Sequence, residues 1–322
     1  MAILAPTAAH ISACQAQLAA GGVVGLPTET VYGLAADATN PDALAAIYAT
    51  KERPRFNPLI SHVADINMAR QLGQFNQTAE KLAAALWPGP LTLVVPRQAD
   101  CAVDPLASAG LETLALRCPA HPVAQELLKK FNKPLAAPSA NPSGRLSPSC
   151  AEHVAALLPD IDVLDGGACA IGLESTIIGC FDDQPIWLRA GGLSRQEIEA
   201  CLGRDLASLG ADQEQTAKLA PGLLARHYAP KAPLHLNVHD VANLPDALVL
   251  GFGPEAPKNM TTDVAANLSP TGALHEAASQ LFALLHMLDA RAVRENKVLA
   301  VMPIPDTGLG EAINDRLRRA AA

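Results

Sequence analysis

The stretch "GLPTETVYGLAAD", residues 25–37, follows an apolar run at 21–24 that is typical of a buried strand. The strand ends in two threonines, Thr28 and Thr30, which flank Glu29. One interpretation is a capped strand end in which Glu29 makes a surface ion pair. The other is a substrate site directly behind a core strand, and the rest of the sequence bears on that choice.

Helices and strands alternate along the chain around this stretch. Residues 7–20 carry apolar side chains at helical spacing, and Thr7 is placed to cap that helix. Two further helical patterns and two short β-rich runs bounded by turn residues follow, at 42–50, 77–87, 91–96 and 113–119. The alternation predicts an α/β sheet.

The pattern changes between residues 203 and 233, where the chain is polar, bracketed by prolines and without strand character. We interpret this segment as an interdomain linker. Beyond it, strand, helix, strand and helix follow in turn, which predicts a smaller, Rossmann-like parallel α/β domain. The predicted divisions are a first domain, a linker and a C-terminal domain at 1–204, 205–231 and 232–322.

The charge of the chain limits its partners. The 322 residues carry 24 basic and 32 acidic side chains, a formal net charge of −8. The molecule as a whole therefore repels polyanions, and direct binding of RNA, tRNA included, is disfavoured. A nucleotide site would have to be a local basic patch.

The cysteines and the apolar stretches bear on location. All seven cysteines lie between Cys14 and Cys201, and none forms a C-x-x-C pair. An odd count with this spacing predicts reduced thiols in a cytoplasmic protein rather than disulfides or a zinc site. No apolar stretch approaches the roughly 18 residues of a membrane span, so no membrane partner is expected.

A basic cluster lies in "KERPRFNPLISHV", residues 51–63, where Lys51, Arg53 and Arg55 fall within five positions. Three cations this close suit a triphosphate. Two prolines stiffen the segment and so reduce the entropy cost of holding these cations in place. The alternative is a solvated charge run on a surface loop.

Two more polar stretches follow apolar runs. "APSANPSGRLSPS" (137–149) has hydroxyls and amides that suit phosphate and ribose if it lies at the end of a strand, although such a run is often only a loop. "DGGACAIGLESTIIG" (165–179) contains a Glu-Ser-Thr cluster that resembles the one at 28–30. We expect these two clusters to share one pocket.

Taken in order, these stretches resemble the threonylcarbamoyl-AMP synthase family in its long form, which has two domains and a YrdC-like catalytic domain. The resemblance implies a YrdC-like twisted mixed sheet with helices for the first domain. It is carried by "PTETVYGL", the K-x-R-P-x-x-x-P-L-x-x-H run from Lys51 to His62, "WPGPLT" (87–92), the S-x-N at Ser139 and Asn141, "GLEST" (172–176), "LRAGGLS" (188–194), "HYAP" (227–230) and the terminal "GLGEAINDRLRRAA".

The resemblance implies a nucleotidyltransferase that condenses L-threonine, bicarbonate and ATP to threonylcarbamoyl-AMP and pyrophosphate. Its product would serve the threonylcarbamoyladenosine modification of tRNA through a downstream transfer machinery. Mg²⁺ would arrive with ATP, bound by phosphate oxygens rather than by a protein cage. Because a carbamate loses carbon dioxide in water, segment 205–231 would also act as a lid.

Matching positions also imply site residues. L-Threonine would be held by Thr30, His62, Arg117, Ala137 and Ser175. ATP would meet Lys51, Arg53, Asn57, Thr113, Ser139, Asn141, Ser147, Arg189 and Tyr228. Lys51 and Arg53 would be the catalytic residues that stabilise developing charge, and no metal is expected on protein ligands alone.

Two other functions stay open on the sequence. YrdC-like domains also occur in hydrogenase maturation factors that use carbamoyl phosphate, so carbamoyl transfer is one alternative. Such proteins carry acylphosphatase and zinc-finger segments, and this sequence shows neither. The other alternative is an RNA-binding module, which the net charge of −8 disfavours.

Overall fold

In the computed structural model, the chain forms two sheets with flanking helices. The structure describes residues 2–54, 56–181, 184–208, 227–244, 246–260 and 264–322. The helices are α1 Ala8–Ala19, α2 Pro41–Lys51, α3 Ile66–Leu72, α4 Gln77–Leu86, α5 Pro122–Phe131, α6 Ala151–Leu157, α7 Arg195–Leu202, α8 Leu274–Glu295 and α9 Leu309–Ala321. The strands are β1 Ile3–Leu4, β2 Val24–Leu26, β3 Gly33–Asp37, β4 Ile60–His62, β5 Leu91–Pro96, β6 Thr113–Arg117, β7 Leu135–Ala136, β8 Val163–Leu164, β9 Thr176–Gly179, β10 Ile186–Arg189, β11 Ala207–Ser208, β12 Leu234–His235, β13 Leu248–Gly251, β14 Ala266–Asn267 and β15 Leu299–Val301.

The first sheet is mixed. Its strands follow the order β1-β8-β2-β3-β7-β4-β6-β5-β9-β10-β11. In its centre, β4 and β6 run parallel, whereas β5 and β6 run antiparallel. The predicted strands at 91–96 and 113–119 are present as β5 and β6, which confirms the α/β prediction for this part of the chain.

Local capping fixes the helices that lead to the site. The Thr7 hydroxyl accepts a hydrogen bond from the backbone N–H of His10 and begins α1, as predicted. The Asn40 side chain accepts from two backbone N–H groups at the start of α2, and Pro41 occupies the first turn. Helix α2 ends at Lys51, and its C-cap residue Glu52 adopts the left-handed conformation, which turns the following chain away from the helix axis.

The second sheet is small and parallel. Strands β12 to β15 lie in the order β12-β15-β13-β14, and every pairing is parallel. Helix α8 buries Leu281, Phe282 and Leu285 in the core beside this sheet. The predicted parallel α/β unit near the C-terminus is therefore confirmed, with α8 and α9 as its helices.

The core of the small sheet continues into the loops of the large one. Val31, Leu146 and Leu173 belong to the same apolar cluster as Phe282 of α8. At Gly172 the backbone approaches α8 so closely that a Cβ would lie 2.5 Å from a backbone oxygen of that helix. The small domain therefore packs against the loops that surround the strand ends of the large sheet.

The predicted linker and lid at 205–231 fall largely on residues 209–226, which lie outside the described residues. Its two ends are described, as β11 and as the segment 227–231. The proposed boundaries at 204 and 232 stay predictions.

The other sequence-based expectations concern cysteines and membranes. All seven cysteines are free in the structure. Across the described ranges, none of the helices combines the length and the apolar character that a membrane crossing needs.

Candidate active site

Three polar side chains lie in one row across the large sheet. In the strand register, His62 of β4 pairs with Arg117 of β6, and Arg117 pairs with Thr92 of β5. Residues paired in this way project from the same face of a sheet. Apolar residues occupy the neighbouring row of that face, among them Ile60 and Val94. The row is therefore a polar line on an otherwise apolar surface.

A cavity opens beside this row, at the strand ends. Nine of the fourteen residues predicted from the sequence line it, namely Thr30, Arg53, His62, Arg117, Ala137, Ser139, Ser175, Arg189 and Tyr228. Thr30 comes from the first Glu-Thr cluster and Ser175 from the second. The prediction that the two clusters share one pocket is thus confirmed.

Arg117 is held at three points. Its Nη1 donates a hydrogen bond to Thr30 Oγ1 at 2.8 Å, and its Nε donates to the carbonyl of Gly89 at 3.3 Å. Its Nη2 lies 2.7 Å from Glu29 Oε1, as an ionic contact without the alignment of a hydrogen bond. The guanidinium is therefore fixed in direction before any ligand binds.

The Glu29 carboxylate is buried, with its side chain 12% exposed. Burial alone would raise the pKa of Glu29, but the charge of Arg117 holds it below its ordinary value. The interpretation of Glu29 as a surface ion pair is therefore wrong. The ion pair exists, but it lies inside the wall of the site.

Hydroxyl groups fix the rest of this end of the cavity. Thr28 Oγ1 lies 2.8 Å from Thr30 Oγ1 and donates to the carbonyl of Val31 at 2.6 Å. On the other wall, the hydroxyls of Thr92 and Ser175 are 2.7 Å apart. The two clusters are thus internally hydrogen-bonded, with Thr30 and Ser175 at the surface of the cavity.

His62 is a buried, neutral imidazole. Burial, assisted by the neighbouring charge of Arg117, lowers the pKa of His62 to about 3. At neutral pH the ring can therefore donate or accept a hydrogen bond without carrying charge.

The basic segment places Arg53 in the cavity lining. Its Nε and Nη2 donate to the carbonyls of Asn57 and Pro58, at 3.2 and 2.9 Å. Burial lowers the pKa of Arg53 to about 10, which leaves it charged at neutral pH. Lys51 is buried, and Arg53 is half-buried and hydrogen-bonded, so for these two residues the interpretation as a solvated charge run is wrong. Arg55 lies outside the described residues.

The remaining five predicted residues do not line the cavity. The Lys51 ammonium donates to the carbonyls of Ser139 and Asn141, so it holds the loop that carries them. Asn57, Asn141 and Ser147 are buried. Thr113 begins β6, four residues before Arg117 and farther along the same strand.

Sequence reasoning missed three residues at the other end of the cavity. Glu174 and His227 line it, and Arg316 of α9 donates from Nε to Glu174 Oε2 at 2.8 Å. Each lies in a motif that carried the resemblance, yet nothing in the sequence indicated that α9 reaches the first domain. Their burial and contact became visible only in the structure.

The electrostatics of this end depend on buried arginines. Burial would raise the pKa of Glu174, but Arg316 and Arg189 lower it to about 2. Burial also lowers the pKa of His227 to about 3. Glu174 is therefore ionised and His227 neutral at physiological pH.

The charges of the lining favour an anionic ligand. Arg53, Arg117 and Arg189 are its cations, and Glu174 is engaged by Arg316 and by the Ser147 hydroxyl at 2.6 Å. Within the described ranges, no group of three or more His, Cys, Asp or Glu side chains is arranged to hold a metal ion. The cavity suits a substrate that brings carboxylate or phosphate groups.

Comparison with known proteins identifies the family. Residues 16–191 match a family model described as telomere recombination, and residues 193–322 match the model of the threonylcarbamoyl-AMP synthase C-terminal domain. The threonylcarbamoyl-AMP synthase of Bacillus subtilis is 39% identical, over 97% of this chain and 93% of its own length. The chain belongs to the threonylcarbamoyl-AMP synthase family.

A solved member of the family shares the whole architecture. The Pyrococcus abyssi threonylcarbamoyl-AMP synthase is 38% identical over 94% of this chain and 91% of its own. A crystal structure of the P. abyssi protein complexed with L-threonine matches with a TM-score of 0.88, covering 100% of this chain and 98% of that one. The predicted family and two-sheet fold are confirmed, and the chain is assigned to a family of transferases that form an adenylate.

Proposed function

We propose that this chain condenses L-threonine, bicarbonate and ATP into threonylcarbamoyl-AMP and pyrophosphate, for the modification of tRNA. The observation that carries the proposal is a single cavity that joins the fixed guanidinium of Arg117 to the half-buried Arg53 and the buried Arg189. One end would take an amino-acid carboxylate and the other a triphosphate.

At the first end, Arg117 would bind the threonine carboxylate. Its Nη2 is buried and has no hydrogen-bond partner among the described residues, although it contacts Glu29 ionically. Thr30 and Ser175 present hydroxyls there, and neutral His62 and the main chain at Ala137 complete the set. A relative with bound L-threonine supports this assignment.

At the second end, ATP would supply partners for buried polar atoms. His227 lines the cavity, and its Nδ1 is buried without a hydrogen-bond partner within the described part of the chain. Asn57 Oδ1 and Asn141 Oδ1 are also buried without such a partner there, but these two residues lie behind the lining. Such atoms need an explanation, and a polar ligand is one. The amino group, ribose hydroxyls and phosphates of ATP offer matching donors and acceptors.

The remaining predicted ATP residues belong to the same proposal. Ser139, Arg189 and Tyr228 line the cavity, whereas Lys51 and Ser147 lie behind it. Lys51 would act by holding the loop of Ser139 and Asn141. Burial, assisted by the neighbouring charge of Arg53, lowers the pKa of Lys51 well below its ordinary value. Thr113 is the most remote member of the set.

The chemistry requires positioning more than a dedicated acid or base. The threonine amine attacks carbon dioxide and releases a proton, or attacks bicarbonate and releases water, to give a carbamate. An oxygen of the carbamate then attacks the α-phosphorus of ATP while pyrophosphate leaves. Arg53 and Arg189 would neutralise the charge that develops on the phosphates. Magnesium bound to ATP phosphate oxygens and water would add to that neutralisation. The buried walls of the cavity would exclude water from the labile carbamate.

The surroundings of the reaction complete the proposal. The product would pass to the tRNA threonylcarbamoyl-transfer machinery, and the seven free thiols support a cytoplasmic location. Segment 205–231 would serve as the lid between domains at 1–204 and 232–322. Tyr228 supports this role, because it is buried and lines the cavity.

Product analysis tests the activity. The purified protein is incubated with ATP, labelled bicarbonate and each amino acid in turn, and pyrophosphate and an acid-labile adenylate are measured. We expect both products only when threonine is present. Pyrophosphate release without a threonine requirement would contradict the proposal.

A further inference from the structure

One charged side chain of the small domain lies inside the wall of the cavity. Arg316 of α9 has 1% of its surface exposed. Its Nε donates to Glu174 Oε2 at 2.8 Å, and its Nη1 donates to Asp315 Oδ2 at 2.9 Å. Arg316 does not line the cavity itself, so any effect on a ligand acts through its neighbours.

Those neighbours belong to the site. Glu174 lines the cavity, and its second oxygen accepts from the Ser147 hydroxyl at 2.6 Å. The guanidinium carbon of Arg316 lies 5.4 Å from the centre of the Tyr228 ring, which also lines the cavity. Arg316 thereby contacts both Glu174 and Tyr228, which lie far apart in the sequence and meet in the cavity wall.

Backbone contacts support the same arrangement. Near the end of α9, the carbonyl of Arg319 accepts from the backbone N–H of His227 at 3.1 Å. The ring of His286 on α8 donates from Nε2 to the carbonyl of Ser147 at 3.1 Å. The small domain therefore holds both the segment of Tyr228 and the loop of Ser147.

The cost of burying charge means that the ion pair between Arg316 and Glu174 needs an explanation. Removing two charges from water is costly, so a buried ion pair is weak evidence for stability, and an apolar pair of similar volume often serves as well. Glu174 is also bonded to Ser147 and exposed to the cavity. A role in fixing the wall explains the pair better than a role in stability alone.

We propose that Arg316 is a positioning residue for ATP, through which the small domain completes the catalytic cavity. The proposal rests on the proposed function and adds what the small domain contributes to it. Arg316 fixes Glu174 and the Tyr228 ring, and through Glu174 it fixes the Ser147 hydroxyl. The threonine end has other supports, because Arg117 and His62 are fixed by strands of the large sheet.

Steady-state kinetics on matched variants tests the role. Arg316→Met removes the charge and keeps much of the volume, and Glu174→Gln/Arg316→Met removes both charges so that neither is left unpaired. Arg318→Met is the control, because Arg318 lies on the same helix with its side chain 58% exposed. We expect Arg316→Met and the double variant to lower kcat/KM for ATP about tenfold or more. Their KM for threonine should stay within about twofold of wild type, and Arg318→Met should match wild type.

The same series shows which results overturn the proposal. If the double variant has wild-type kcat/KM for ATP, the pair is only structural. If the variants lose kcat/KM equally for ATP and for threonine, the positioning role for ATP is also overturned. If Arg316→Met does not fold, the double variant and Arg316→Lys are used for the test. Arg316→Lys should then recover part of the wild-type kcat/KM for ATP.

A binding measurement separates this proposal from the proposed function. If wild type releases no threonine-dependent pyrophosphate, the proposed activity fails. The Kd of ATP from calorimetry still tests Arg316, because a positioning role predicts weaker binding in Arg316→Met than in Arg318→Met. Equal Kd values in these two variants would overturn the positioning role independently of the reaction.

Discussion

The two ends of the cavity are built in different ways. At the proposed threonine end, His62, Arg117 and Thr92 are neighbours in one sheet, and strand register alone aligns them. At the proposed ATP end, Glu174 meets Arg316 from a helix 142 positions later in the chain. A small amino acid can be bound by one rigid surface, whereas the proposed nucleotide site would be assembled across two domains.

Each end also contains a buried carboxylate opposite an arginine. Glu29 faces Arg117 within the large domain, whereas Glu174 faces Arg316 across the domain contact. The pKa of each carboxyl lies below its ordinary value, although burial opposes this in both cases. Mutations at the two arginines should therefore separate the substrates.

The largest effect is expected from Arg117→Ala. It removes the proposed carboxylate partner and leaves Glu29 unpaired, so the KM for threonine should rise roughly 10²- to 10³-fold. The KM for ATP should change little, because Arg53 and Arg189 are intact. Substrate titrations of the variant and of Arg70→Ala, an exposed control, check this. An equal rise in both KM values would mean that Arg117 is wrongly assigned to the threonine carboxylate.

Substitutions in the basic segment should affect turnover instead. Arg53→Ala removes a charge from the cavity lining, and Lys51→Ala removes the support of the loop at Ser139 and Asn141. Arg53→Ala should lower kcat by roughly 10²-fold if the contact of Arg53 is made chiefly in the transition state, and Lys51→Ala should lower kcat by displacing that loop. Single-turnover rates measure this directly. A variant with near-normal turnover would lose its catalytic assignment.

A smaller effect is expected from Thr92→Val. The change keeps the shape but removes the hydroxyl that lies 2.7 Å from Ser175 Oγ. Loss of one buried hydrogen bond costs about 1 kcal/mol, so the KM for threonine should rise about 5- to 10-fold with little change for ATP. A rise in the ATP requirement of the same size would show that β5 supports both ends.

The last effect concerns stability and pH rather than substrate binding. The pKa of Glu174 falls from an ordinary 4.5 to about 2 on folding, so its contribution is complete above about pH 4.5 and is lost as pH falls towards 2. Between about pH 5 and pH 3, wild type should lose about 1 to 2 kcal/mol more unfolding free energy than Glu174→Gln/Arg316→Met. Urea unfolding at several pH values measures this. If the unfolding free energies of the two proteins change with pH in parallel, the ion pair does not lower the pKa of Glu174.

Local elements were predictable because local interactions decide them. Thr7 caps α1 as its position implied, and α2, α4, β5 and β6 agree with their predicted ranges within a few residues. The order of strands was not predictable in this way. It places β7 between β3 and β4, which depends on contacts between distant segments.

The site residues divide in the same way, into those that local motifs predicted and those that depend on contacts between distant segments. Thr30, Arg117 and Ser175 were predicted from motifs and share the cavity lining. The role of Thr92 was not predicted, because its hydroxyl matters only through the strand beside it. Arg316 was missed because nothing near it in the sequence indicates which surface α9 covers. A buried ion pair between domains is a product of tertiary packing, which a sequence pattern does not contain.

The separation of the two ends is tested most directly by one double-mutant cycle in steady-state kinetics. KM values for threonine and ATP are measured for wild type, Arg117→Ala, Arg316→Met and the double variant. We predict that each single change raises one KM and leaves the other within about twofold, and that the effects multiply in the double variant. If either single change raises both KM values alike, the two ends are not separately built and the account is wrong.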